Sequence, residues 1–183
     1  MRDLSLHVLD LMENSVRAGA THIDLLCDID THVNRLVLRI QDNGAGLLVS
    51  HEQALDPFYT TKDGKKTGLG LSLFQAAAEA ANGNLELSPS PLGGLSVQAT
   101  MEWDHLDRSP VGDLVESIFS LLCTEPDLDV TFQVRFDDRT FSVRVSEVVQ
   151  TLSAEQRNSF EALIHAKEAL REVYRVIPEL YGA

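Results

Sequence analysis

Three features of this 183-residue chain predict an α+β protein. Apolar positions recur at helical spacing over residues 3–18 and 69–82, strand-like runs come in pairs across polar turns, and near residue 104 the pattern restarts with a helix and another strand pair. With 44% apolar residues the chain can bury a core, organised as a domain over residues 1–104 and a small α+β unit over 105–183.

Residues 3–18 are predicted to form the first helix, capped by Asp3. On a wheel Leu4, Val8, Leu11 and Met12 fall on one side, while the i, i+4, i+7 spacing stacks Asp10, Asn14 and Arg17 on another. After the break at Gly19, "HIDLLCDI" and "RLVLRIQD" read as a hairpin joined by "DTHVN". "NGAG" forces a tight turn, "LDPFYTTKDGKKTG" is a polar loop, and "LGLSLFQAAAEAAN" is a helix ended by Asn82 and Gly83. "NLELSPS" and "LSVQATMEW" make a second hairpin around "PLGG". Beyond the polar linker "DHLDRSPVGD" come a helix in "VGDLVESIFSLLC", the alternating strands "DVTFQVRF" and "RTFSVRV" across the turn "DD", and one long amphipathic helix over residues 153–175.

The formal net charge of −13 argues against nucleic acid or an acidic membrane as partner, because such binding needs a basic surface that releases counterions. No apolar run approaches the roughly 18 residues of a spanning helix. The start "MRDLSLHVLD" lacks the basic-then-apolar order of a secretory signal, so the expected location is cytoplasmic. Cys27 and Cys123 each stand alone, which suggests neither a zinc knuckle nor a disulfide, and both read as buried thiols.

Two glycine-containing segments hold candidate chemistry. "DNGAG", residues 42–46, follows a strand directly and taken alone is ordinary turn chemistry. "TGLGLS", residues 67–72, opens a helix whose free N–H groups suit a phosphate, although a glycine pair also simply begins helices. It is no P-loop, since Lys65 and Lys66 lack the glycine the motif requires six residues earlier, and no third glycine completes a dinucleotide fingerprint.

The order of the segments is more specific than any one of them: an acid/amide helix, a strand ending in Asp-x-Gly-x-Gly, and a Lys- and Thr-containing loop closing on Gly-x-Gly before a helix. That series resembles the GHKL superfamily of ATP-binding domains, which includes gyrase, the large heat-shock chaperone, histidine kinases and MutL mismatch-repair ATPases. "ENSVRAGATHIDL" is similar to the MutL form of the helix box. "DPFYTTK" with "KTGLGLSL" is similar to the histidine-kinase phenylalanine and second glycine boxes, and "NLELSPSPLGGLSVQATM" to the kinase domain's closing hairpin. The resemblance covers residues 4–102. It implies a Bergerat-type two-layer sandwich, a mixed sheet covered by helices on one face, with ATP and Mg²⁺ as ligands.

By this resemblance Asp42 accepts a hydrogen bond from the adenine amine. A carboxylate can only accept, so it would repel the carbonyl that guanine carries there. Gly44 and Gly46 let the backbone approach the base. Asn14 offers an amide oxygen to Mg²⁺, which takes few ligands from protein. Arg17 leans toward the triphosphate, or else is a solvated surface charge. Phe58 packs under the lid as an apolar anchor, and Lys62 faces the phosphates. Lys65 and Lys66 equally fit a solvated loop. Thr67, Gly68, Leu69 and Gly70 form the second glycine box.

The chain departs from the family at the catalytic acid. In hydrolytic members a glutamate four residues before the magnesium asparagine polarises the attacking water. Here that residue is Asp10, one methylene shorter, and a displacement of about 1 Å can cost on the order of a hundredfold in rate. Glu13 reads as a surface or helix-packing carboxylate. No dimerising helix with a phosphoacceptor histidine is expected ahead of the ATP-binding domain, and His165 is followed by Ala166 rather than an acid, so it reads as an exposed helix histidine. Two functions are therefore expected to compete. One is a slow ATPase or protein kinase acting in trans on an unidentified partner protein. The other is a non-catalytic ATP-gated switch. Stand-alone GHKL proteins of this general look are found with redox enzyme systems, and a homodimer is compatible with either reading.

Overall fold

The computed structural model describes residues 3–47, 49–55, 69–157, 159–175 and 177, with His51 and Leu69 described through their backbone alone. Helix α1 (Leu4–Arg17) starts where the Asp3 side chain accepts the Leu6 N–H, and Leu4, Val8, Leu11 and Met12 are buried as their spacing predicts. Strands β1 (His22–Asp30) and β2 (Arg35–Asp42) form the expected antiparallel hairpin. A short helix, α2 (His51–Leu55), precedes the predicted loop, and α3 (Leu69–Ala80) follows it. Asn82 takes a left-handed φ of 53° and the Gly83 N–H bonds back to the Ala78 carbonyl at 2.9 Å, which ends the helix as the Asn-Gly pair predicts. Strands β3 (Asn84–Pro89) and β4 (Leu95–Glu102) form the second hairpin.

Downstream lie α4 (Leu114–Thr124), β5 (Asp129–Phe136), β6 (Arg139–Arg144), α5 (Val145–Gln150), α6 (Ala154–Arg157) and α7 (Phe160–Tyr174). The single helix expected over residues 153–175 is thus two. Ser159 has an extended backbone and its hydroxyl donates to the Gln156 carbonyl at 2.7 Å, so the first helix stops and α7 restarts. The run "RTFSVRV" is strand only as far as Arg144, because Val145 opens α5.

The strands build one mixed sheet in the order β3-β4-β2-β1-β5-β6, with β1 and β5 parallel and every other neighbouring pair antiparallel. Strands β5 and β6 therefore extend the sheet built by β1–β4, and buried side chains of α4, β5 and α7 share one core with those of α1 and β1. At the seam the Leu4 N–H bonds to the Pro110 carbonyl at 2.8 Å and the Ser117 hydroxyl to the Ser5 carbonyl at 3.1 Å. The pattern break near residue 104 marks where the chain leaves β4, with the Arg108 guanidinium 4.4 Å from the centre of the Trp103 ring.

Alternation gives the sheet two unlike faces. Ile23, Leu25, Cys27 and Ile29 of β1, Leu36, Leu38 and Ile40 of β2, and Val130, Phe132 and Val134 of β5 enter the core with the helices. The other face carries a cross-strand row of Glu86, Gln98, Arg39, Leu26, Gln133 and Ser142, polar except for Leu26. Burial pushes the Cys27 thiol up to about 12, so it stays protonated and inert. Cys123 is exposed, which corrects the expectation of two buried thiols: it sits past the buried Leu121 and Leu122 on α4. Among the described residues no helix is long and apolar enough to cross a membrane.

Where α3 passes into β3, Gly83 lies against β4 so closely that a Cβ would overlap the Thr100 carbonyl oxygen and come within 2.9 Å of the Met101 Cα. Those atoms are backbone and cannot swing aside. Gly83→Ala is expected to lower stability by about 1–3 kcal/mol, read as a lower urea midpoint with unchanged slope. A midpoint equal to wild type would contradict this packing.

Candidate functional site

Asp42 is the last inward residue of β2, so the alternation that buries Leu36, Leu38 and Ile40 also buries its carboxylate, which is 4% exposed. Its oxygens are well supplied with donors. Oδ1 accepts the Gly44 N–H at 2.9 Å and the Leu95 N–H at 3.1 Å, and Oδ2 accepts the Ser15 hydroxyl at 2.7 Å. With two acceptor positions per oxygen, Oδ1 is filled and Oδ2 keeps one among the described residues. The following turn lies against the end of α1: the Ala45 N–H bonds to the Ala18 carbonyl at 2.9 Å, and a Cβ on Gly44 would stand 3.0 Å from that same oxygen. Gly46 has a φ of +72°, a conformation that favours glycine.

The predicted stripe on α1 is present as a chain of contacts. Asn14 Nδ2 donates to Asp10 Oδ2 at 3.4 Å, and Arg17 Nη2 donates to Asn14 Oδ1 at 2.5 Å. Arg17 also pairs with Glu13 at 3.4 Å, both half-exposed, so Glu13 is a surface carboxylate tied to this cation. The second glycine segment meets the stripe through its backbone: a Cβ on Gly70 would overlap the Asp10 carboxylate and lie 3.7 Å from Asn14 Nδ2. Leu69 opens α3 beside it. Phe58, Lys62, Thr67 and Gly68, with Lys65 and Lys66, lie outside the described residues. Asp10, Asn14, Arg17 and Gly70 thus form one group. Asp42, Gly44, Gly46 and Ser15 form a second, joined to the first through the C-terminal turns of α1.

Among the described residues no three His, Cys, Asp or Glu side chains cluster to hold an ion. The amide oxygen on the stripe is Asn14 Oδ1, which accepts from the exposed Arg17 guanidinium. One neutral oxygen suits Mg²⁺, whose remaining ligands commonly come from water and phosphate.

His7 is a residue that sequence reasoning passed over for want of a partner pattern. It lies on α1 three residues before Asp10 and stacks on Phe74 of α3, with ring centres 5.2 Å apart and planes at 14°. It is 4% exposed, and its Nδ1 has no hydrogen-bond partner among the described residues. Its place one turn from Asp10, on the side of α1 that meets α3, was the signal available.

Burial holds the His7 imidazole below the ordinary 6.5, against the upward pull of Asp10 and Asp3. The unfolded chain therefore takes up a proton near pH 6.5, and the folded chain only at lower pH. Acidification below 6.5 favours unfolding until the folded pKa is passed. His7→Phe keeps an aromatic ring against Phe74 and removes the titration. Urea unfolding at a series of pH values below 6.5 is expected to show a shallower loss of stability in this variant than in wild type. Parallel curves would contradict a neutral, buried imidazole.

The family model for histidine kinase-, DNA gyrase B-, and HSP90-like ATPases matches residues 2–105 and ends where the sequence pattern restarts. The chain is 30% identical over 87 residues to the sensor histidine kinase YxdK of Bacillus subtilis (strain 168), a match covering 45% of this chain and 26% of that kinase. It is 39% identical over 74 residues to the sensor protein kinase CarS of Pseudomonas aeruginosa, covering 39% of this chain and 17% of that one. The chain thus spans about a quarter or less of the curated relatives it matches. Among solved structures, the N-terminal domain of a DNA repair protein shares the fold at a TM-score of 0.52 and 13% identity, over 91% of this chain and 57% of that one. With more than half of its residues matched, the chain belongs to the family of histidine kinase-, DNA gyrase B-, and HSP90-like ATPases.

Proposed function

We propose that this protein binds ATP with Mg²⁺ and turns it over slowly, by hydrolysis or by phosphoryl transfer to a partner protein. The observation that carries the reading is the buried Asp42 carboxylate with one acceptor position left on Oδ2, in a chain of this family. Adenine presents an amine to such an acceptor and guanine a carbonyl, so the site selects ATP. Gly44 and Gly46 give the base room beside the strand end. Asn14 supplies an oxygen to the metal, and Arg17 reaches the triphosphate once released from Asn14. Bound Mg²⁺ would neutralise phosphate charge. Phe58, Lys62, Thr67, Gly68, Leu69 and Gly70 belong to the lid and second glycine box of the same reading. The names of the kinase relatives support phosphoryl transfer as an outcome, and the protein acted on is a separate molecule.

Asp10 is the group that takes a proton from the attacking water. In hydrolysis the water oxygen bonds to the γ-phosphorus, the bond to the β-bridging oxygen breaks, and ADP and phosphate leave. In transfer, a side-chain atom of the partner replaces the water. The Asp10 carboxylate accepts from Asn14 Nδ2 and is a methylene shorter than the family's glutamate, which supports slow turnover. The same observation favours a second reading, an ATP-gated switch whose occupancy, rather than turnover, alters what residues 105–183 present to a partner.

ATP labelled in the γ-phosphate, incubated with the protein alone and with cell extract, separates these outcomes. Slow release of labelled phosphate or a labelled acceptor protein is expected, abolished in Asp10→Asn with ATP affinity retained and accelerated in Asp10→Glu. Neither product at any time, with ATP still bound, would leave the switch. A fast wild type that Asp10→Glu slows would overturn slow turnover.

A further inference from the structure

We infer that the β3–β4 turn, through Gly94 and the Leu95 N–H, fixes the rotation of the Asp42 carboxylate, which makes Gly94 a specificity-determining positioning residue. The inference rests on the reading that Asp42 accepts the adenine amine. Two hydrogen bonds and a close backbone approach join the turn to the end of β2. The Gly94 N–H bonds to the Asp42 carbonyl at 3.0 Å, the Leu95 N–H bonds to Asp42 Oδ1 at 3.1 Å, and a Cβ on Gly94 would overlap Oδ1 while approaching the Gly44 nitrogen to 2.6 Å. Asp42 is therefore gripped from a point 53 residues away along the chain.

The turn is itself held in shape. The Ser90 N–H bonds to the Gly94 carbonyl at 2.8 Å, the Gly93 N–H to the Ser90 carbonyl at 3.0 Å, and the Leu92 N–H to Ser90 Oγ at 3.0 Å. A carboxylate has two equivalent oxygens and rotates about the bond that carries it, so burial alone does not decide which oxygen faces a ligand. Two backbone donors, from Gly44 and Leu95, converge on Oδ1 and stop that rotation. They leave Oδ2, already holding the Ser15 hydroxyl, as the oxygen with an open acceptor position. Any side chain at position 94 must push the carboxylate off the Leu95 N–H or lift the turn from β2. Either movement blurs the discrimination between an amine and a carbonyl and leaves the α1 stripe untouched.

The test compares wild type, Gly94→Ala and Asp42→Asn by calorimetry with two probes, adenosine and inorganic tripolyphosphate with Mg²⁺. Gly94→Ala is expected to weaken adenosine by about ten- to a hundredfold, the cost of a lost hydrogen bond to a charged group, with tripolyphosphate affinity unchanged. Equal adenosine affinity in wild type and Gly94→Ala would overturn the inference. A proportional loss of both probes would overturn it too, since that is what general damage to the fold produces. If Gly94→Ala does not fold, replacing the peptide N–H of Leu95 by an ester oxygen removes the donor without placing a further atom against Asp42, and the same comparison decides. Should wild type bind adenosine no better than Asp42→Asn does, the assignment of Asp42 itself fails. Should only Gly94→Ala match wild type, the positioning role alone fails.

Discussion

Asp42→Asn is expected to weaken ATP binding by about 1.5–3 kcal/mol, roughly ten- to 150-fold, while the protein stays folded. The amide has one acceptor where the carboxylate had two. Two backbone N–H groups, from Gly44 and Leu95, point at the Oδ1 position, so the amide oxygen must take that place. The NH₂ then occupies the Oδ2 position. There it donates to the Ser15 hydroxyl, which can turn to accept, and folding loses little. Toward adenine it meets amine with amine. Denaturant unfolding and nucleotide titration on the same samples separate the two effects, and unchanged ATP affinity in a folded variant would contradict the assignment.

Asn14→Ala is expected to erase the gain that Mg²⁺ gives to ATP binding while leaving weaker, metal-free binding in place. Asn14 is exposed enough to reach a ligand, accepts from Arg17 at 2.5 Å and donates to Asp10 at 3.4 Å, so its removal frees both neighbours without opening the core. The proposed adenine contacts lie at the end of β2 and are untouched. Loss of an oxygen ligand should cost at least the roughly 10- to 100-fold that changes around a metal's outer shell cost. Titrations with and without Mg²⁺ measure it. A variant that keeps the full magnesium effect would place the metal's protein ligand elsewhere.

Helical and strand periodicity made most of this fold legible. The spacing of Leu4, Val8, Leu11 and Met12 predicted both α1 and its buried side, and the same spacing placed Asn14 in contact with both Asp10 and Arg17. The alternation in "RLVLRIQD" carries Asp42 into the core beside Leu36, Leu38 and Ile40. What sequence pattern could not supply was long-range pairing. Nothing in "DVTFQVRF" announces that β5 lies parallel to β1, so a restart in pattern near residue 104 looked like a second unit although its strands continue the first sheet. The break between α6 and α7 was hidden for a related reason: the amphipathic period runs on through Ser159, whose extended backbone is set by local hydrogen bonds. His7 was passed over because its partner, Phe74, is apolar and sits on another helix. The Leu95 donor is a backbone N–H and leaves no mark in any sequence.

A calorimetric titration of the wild-type protein with ATP and then GTP, both in Mg²⁺, tests the central claim most directly. The buried acceptor at Asp42 predicts that ATP saturates one site and that GTP neither binds there nor displaces it. GTP competing on equal terms, or neither nucleotide binding, would contradict the account.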